Sequence, residues 1–314
     1  MLKSIAATLG LSVALVGQAA FAQSACSEVN LYKELAQSDP AAYARLTEEA
    51  NAVANSRGLF WKVSHEDDAH VSWLFGTMHK SDPRILDLPE NVREAMAQSE
   101  VFAGELDGSK TPYEMGLIIG GSPELMFQPQ GQFLSDNLSA ETVEQVDKLL
   151  NERGSDFDNI NPMQPWLSAS VLAISTCDFE QGISDTNFLD VVMENQAREL
   201  GLEVVGLETV REQIDAIAAI DPEFFYNSLR DAAHQHRQGI YDDILKTATE
   251  LYLDEEIGVL LPLMMHYSTH LSGDSADLIS FQRELLDIRN DGMVEKSAIL
   301  MEEGPTFVAV GALH

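Results

Sequence analysis

Two short patterns in this chain place residue types that can do chemistry at strand ends. The apolar run Trp73-Leu74-Phe75 leads into Gly76-Thr77-Met78-His79, and Val308-Ala309-Val310 leads into Gly311-Ala312-Leu313-His314. Of the eight histidines, only His79 and His314 have glycine three residues before them. Glycine permits a sharp backbone turn at a strand end. The histidine then falls at the carboxyl edge of the sheet, where α/β proteins build their sites. Side by side, two such strands bring His79 and His314 together. Neutral imidazoles are good ligands for zinc, manganese and related ions. The residues alone leave a second reading open, two hydrogen-bonded histidines in tight turns.

Carboxylates come next. Glu105 closes an apolar run at residues 101–106, and Glu208 follows Val204-Val205-Gly206-Leu207 in the same manner. A carboxylate at a strand end can ligate a metal or act as a general base. Each is equally readable as a cap or ion-pair partner, since Glu208-Thr209 precedes a helical stretch. Arg289 falls in the helix before the last strand, placed to bind a carboxylate or a developing oxyanion. Alone it also reads as a surface ion-pair partner. His266 and His270 are spaced i, i+4, but a zinc-peptidase helix needs Glu after the first His, and here Tyr267 follows. They read as a helix-surface pair. His234 and His236 point to opposite sides of a helix, and His65 and His70 lie in a hairpin loop. There is no serine-nucleophile elbow, P-loop or dinucleotide glycine fingerprint.

The elements that must position these groups are legible in outline. Residues 59–64 and 71–75 predict a hairpin, and strands are expected at 101–106, 202–207 and 306–310. Helices are expected at 28–55 with a break at Pro40, and then at 89–98, 139–150, 165–174 and 185–200, the last ended by Gly201. Further helices follow at 209–220, 222–238 and 240–252, and across most of 255–303. The fold class is therefore α/β, helix-rich, with a central mixed sheet and a large helical insertion. One domain over 23–314 is the preferred division; breaks near Ser109 and Leu202 are the alternative.

The first 22 residues read as a signal peptide: Lys3, an apolar stretch from Ile5 to Val16, and Ala20-Phe21-Ala22 as the cleavage signal. The expectation is a periplasmic or secreted protein cut after Ala22, with no membrane span. Cys26 and Cys177 are the two cysteines. In an oxidising compartment they are expected to form a disulfide, with two unpaired buried thiols as the alternative. The chain carries 51 acidic and 19 basic residues, a formal charge of −32. Such a surface repels nucleic acids and anionic lipid, so neither is an expected partner. The acidity is spread along the chain, as suits solubility in a salty setting.

Taken in order, these stretches resemble the TraB/GumN family of the Tiki-like superfamily. The resemblance is carried by residues 73–83, 84–97 and 101–107, by Gly206-Leu207-Glu208-Thr209, by Arg289-Asn290 with Met293, and by 307–314. Proteobacterial members share the two-cysteine pattern. The resemblance implies a metal-dependent peptidase acting on peptide or protein. His79, His314 and Glu105 would hold a divalent ion (Mn, Co or Zn), and Glu105, Glu208 and Arg289 would serve catalysis. A non-catalytic metal- or haem-binding role, or an accessory role in polysaccharide or export pathways, stays open beside it. Family members usually continue past the second Gly-x-x-His with a helix and a strand. The chain is therefore expected to be truncated, with a mobile His314.

Overall fold

A computed structural model describes residues 29–64, 70–175, 188–270 and 280–314. Residues 1–22, where a leader is expected, and Cys26, Cys177 and His65 lie outside the described residues. The sheet has five strands: β1 (Phe60–Val63), β2 (Ser72–Thr77), β3 (Val101–Gly104), β4 (Glu203–Gly206) and β5 (Thr306–Gly311). Their spatial order is β1-β2-β5-β3-β4. β1 and β2 form the expected antiparallel hairpin pair, and every other pairing is parallel. The last strand in sequence thus occupies the centre.

A central parallel strand is covered on both faces and reads as a continuous apolar run. The sequence Thr-Phe-Val-Ala-Val of β5 does, and its first five residues are buried. Alternate side chains go to opposite faces. Phe307 and Ala309 join a core with Phe75, Phe102, Leu189, Met193 and Val92. Val308 and Val310 join Ala103, Leu207 and Met293 on the other side. Helices Glu90–Ala97 and Leu189–Leu200 therefore cover one face, and helix Ile288–Glu303 the other. Phe307 is fully buried, and its ring stacks on Phe102 with centroids 6.1 Å apart.

Helix limits follow local signals. Asp39 caps helix Pro40–Ala52, which places the break where Pro40 can occupy the first turn. Ser139 caps helix Ala140–Asn151. Gly201, at φ 82°, ends helix Leu189–Leu200 in the left-handed conformation. The insertion packs its own core from Leu134, Val146, Leu149, Leu150 and Leu229. Several features depart from the sequence reading, among them the short helices Pro83–Leu86 and Phe157–Ile160. Helix Thr111–Gly121 was not expected there. His266 and His270 do not share a helix face, because the helix ends at Tyr267 and His270 turns back to Asp231.

Phe307, on the central strand, is the side chain on which three aromatic neighbours, Phe60, Phe75 and Phe102, converge. Phe307→Ala is expected to lower stability by about 3–5 kcal/mol, the usual cost of emptying an aromatic core site. Urea denaturation followed by circular dichroism measures it; a loss under about 1 kcal/mol would mean that the sheet centre collapses around the cavity.

Candidate functional site

Register decides how the two Gly-x-x-His segments meet. β2 and β5 pair with Gly76 opposite Val310 and Thr77 opposite Gly311, so the motifs are offset by one residue. Neither glycine is among the positive-φ residues. Their value is close approach rather than a left-handed turn. A Cβ on Gly76 would sit 3.0 Å from the Ala312 Cβ, and one on Gly311 would sit 3.1 Å from Glu105 Oε1. The Tyr252 hydroxyl donates to the Gly76 carbonyl at 2.8 Å and ties the first motif to the helical layer.

Glu105, the first residue after β3, reaches across to β5. Its Oε1 accepts the Gly311 N–H at 2.7 Å, and its Oε2 accepts from Arg289 Nη2 at 2.6 Å and from Gln213 Nε2 at 3.2 Å. Arg289 also grips Glu208, with Nε 3.1 and 3.0 Å from the two carboxylate oxygens and Nη2 donating to Oε1 as well. All three side chains are no more than 10% exposed. Arg289 is thus a buried bridge between two carboxylates, not a surface partner. Glu208 does not cap the next helix; Thr209 does, in a capping box with Glu212.

The two histidines have different partners. His79 Nδ1 lies 2.7 Å from Asp190 Oδ2, while Thr77 Oγ1 donates to Asp190 Oδ1 at 2.5 Å. His314 Nδ1 lies 2.7 Å from Asn290 Oδ1, and its Nε2 is 3.9 Å from Glu105 Oε1. The Asp190 hydrogen bond raises the His79 pKa to about 9, against the opposing effect of desolvation. Burial pushes His314 down to about 4. At neutral pH the first imidazole is charged and the second neutral. Burial works against ionisation of Glu105, but His314, His79, Arg289 and the Gly311 N–H outweigh it and hold the carboxyl below its usual range. Asp190 is lowered likewise, its burial outweighed by His79.

His79, Glu105, Asp190 and Gln213 are among the residues that line a cavity of about 780 Å³. The 64% exposure of the His79 side chain is exposure into this cleft. Asp190 and Gln213 were missed by the sequence reading. Each sits on a helix, 111 and 108 residues from the group it bonds, with no local pattern to single it out. The five expected residues, His79, His314, Glu105, Glu208 and Arg289, do gather at one sheet edge.

A model of the TraB/PrgY/gumN family matches residues 59–314. The chain belongs to this family. No curated protein and no solved structure matches it. The family match covers every strand and every side chain of the cleft described above.

The donor types at the edge suit a divalent ion, and each imidazole is oriented by an outer oxygen, as metal-binding histidines are. Their spacing does not. Among the described residues no group of three or more His, Cys, Asp or Glu side chains could hold a metal ion. Glu105 has one oxygen on Arg289 and the other on Gly311 N–H. As placed, the residues do not form a metal site.

Two measurements test this electrostatic picture. Asp190→Asn is expected to bring the His79 midpoint down from about 9 towards its ordinary 6.5, read by NMR titration of the imidazole. A His raised in the folded state stabilises most below its unfolded value, and the benefit fades as pH climbs through about 9. The variant should therefore lose stability near neutral pH and match the parent above pH 9. Arg289→Met strands two buried carboxylates and is expected to cost about 3–5 kcal/mol at pH 7. Glu105 is held below its usual range and contributes above its unfolded value, so its share of that cost should shrink once pH drops below about 4.3 and it takes up a proton.

Proposed function

We propose that the cleft is a hydrolytic site acting on peptide or protein, in an exported member of the TraB/PrgY/gumN family. One observation carries this reading: two imidazoles follow adjacent strands beside one buried carboxylate, the first held by the Asp190 carboxylate and the second by the Asn290 amide oxygen. Paired titratable groups whose environments push them apart make an acid and a base.

His314 is the base. Its Nδ1–H donates to Asn290 and leaves the Nε2 lone pair free on the Glu105 side. It takes a proton from water as the oxygen adds to the substrate carbonyl carbon. Glu105 stands 3.9 Å from Nε2 and stabilises the imidazolium that forms. His79, held by Asp190, gives its proton to the leaving amine as the C–N bond breaks. The proton gained by His314 and the one lost by His79 are exchanged with solvent. Arg289 keeps Glu105 ionised and fixed. Glu208 acts through Arg289 as a positioning residue.

Whether a divalent ion binds, as the family resemblance implies, is a separate question that metal addition tests. No step here depends on it. A periplasmic or secreted setting, from the leader-like residues 1–22, belongs to the same proposal. The described helices contain no segment long and apolar enough to cross a membrane.

Cleavage of a mixed peptide library, read by mass spectrometry, tests the reading. Activity should rise with pH through about 4 as His314 loses its proton and fall through about 9 as His79 loses its own. His79→Ala and His314→Ala should each lose at least about a hundredfold, the usual worth of a general acid or base. Assays with EDTA and with added manganese, cobalt or zinc separate the acid–base route from a metal-dependent one. No cleavage under any of these conditions would favour a binding role.

A further inference from the structure

The cavity lined by His79 and Glu105 also has two apolar walls of different origin. One wall is the loop after β3 and the start of helix Thr111–Gly121, with Leu106, Pro112 and Met115. The other is the start of helix Leu189–Leu200, with Phe188 and Val191. All five side chains keep part of their surface open to solvent. Water in such a slot is displaced favourably by an apolar group.

Arg198 and Glu194, which also line the cavity, are already paired. Arg198 Nη2 donates to Asp107 Oδ1 and Glu194 Oε1, both at 2.8 Å. Glu194 Oε2 accepts the Gly108 N–H at 3.0 Å. A charged side chain entering the slot would lose its water and find these partners taken. The slot therefore favours bulk and penalises charge.

Building on the hydrolytic reading, we infer that this slot is a specificity subsite that takes one large apolar side chain, such as Phe, Leu or Met, of a peptide lying against His79. Helix Thr111–Gly121 forms the wall that sets the preference, and Met115 is its central residue. A medium-sized apolar residue there leaves room for an aromatic ring, and its flexible thioether adapts to leucine as well.

The test measures binding and cleavage separately. Acetylated and amidated tripeptides Ala-X-Ala, with X as Phe, Leu, Ala or Asp, are titrated into the full-length mature protein by calorimetry, and each mixture is then read by mass spectrometry. The Phe and Leu peptides are expected to bind at least tenfold more tightly than the Ala peptide, with the Asp peptide weakest. Met115→Glu should abolish the preference, and Val191→Glu, on the opposite wall, should reduce it at least fivefold. Circular dichroism confirms that each variant is folded. Apolar preference without cleavage would leave the subsite standing and overturn the hydrolytic reading. Cleavage with equal affinity for all four peptides would do the reverse. Equal or undetectable binding of every peptide overturns the subsite, as does a preference unchanged in both variants.

Discussion

Arg289 holds one positive charge between two buried carboxylates, and the order of the site rests on that arrangement. Burying a carboxylate without a partner is prohibitive, so Glu105 and Glu208 can stand at the ends of β3 and β4 only because a guanidinium meets both. The bridge fastens helix Ile288–Glu303 to two strands that precede it by more than eighty residues. The next residue on that helix, Asn290, holds His314. One turn of helix thus sets both the charge of Glu105 and the orientation of an imidazole.

The two Gly-x-x-His segments show how little a motif fixes by itself. Their sequences are alike, yet one imidazole faces a carboxylate and the other an amide oxygen. An anion on Nδ1 favours the charged ring; a neutral oxygen in a buried setting does not. The difference is written in Asp190 and Asn290, on two helices that the strands do not encode.

Much of the fold was legible because its signals are local. All five strands are short apolar runs bounded by polar or glycine punctuation, and Ser139 and Gly201 mark helix ends by capping chemistry. Glu105, Glu208 and both motif histidines were readable because each ends an apolar run. Asp190 was not, since an acidic residue in a first helical turn is ordinary. Helix Thr111–Gly121 escaped because Tyr113, Met115, Leu117, Ile118 and Ile119 follow no single face, and three glycines dilute its propensity. The glycines of the motifs have another reason than a turn: Ala312 and Glu105 come too close for a Cβ.

The place of β5 also says something about time. Ser72 and Thr306, hydrogen-bonded across the sheet, are 234 residues apart in the chain. Contacts that distant close slowly, after a large loss of chain entropy. During synthesis β2 and β3 have no common neighbour among the described strands until β5 arrives, and His314 follows β5 in the chain. Closure of the sheet is therefore a late event that waits on β5.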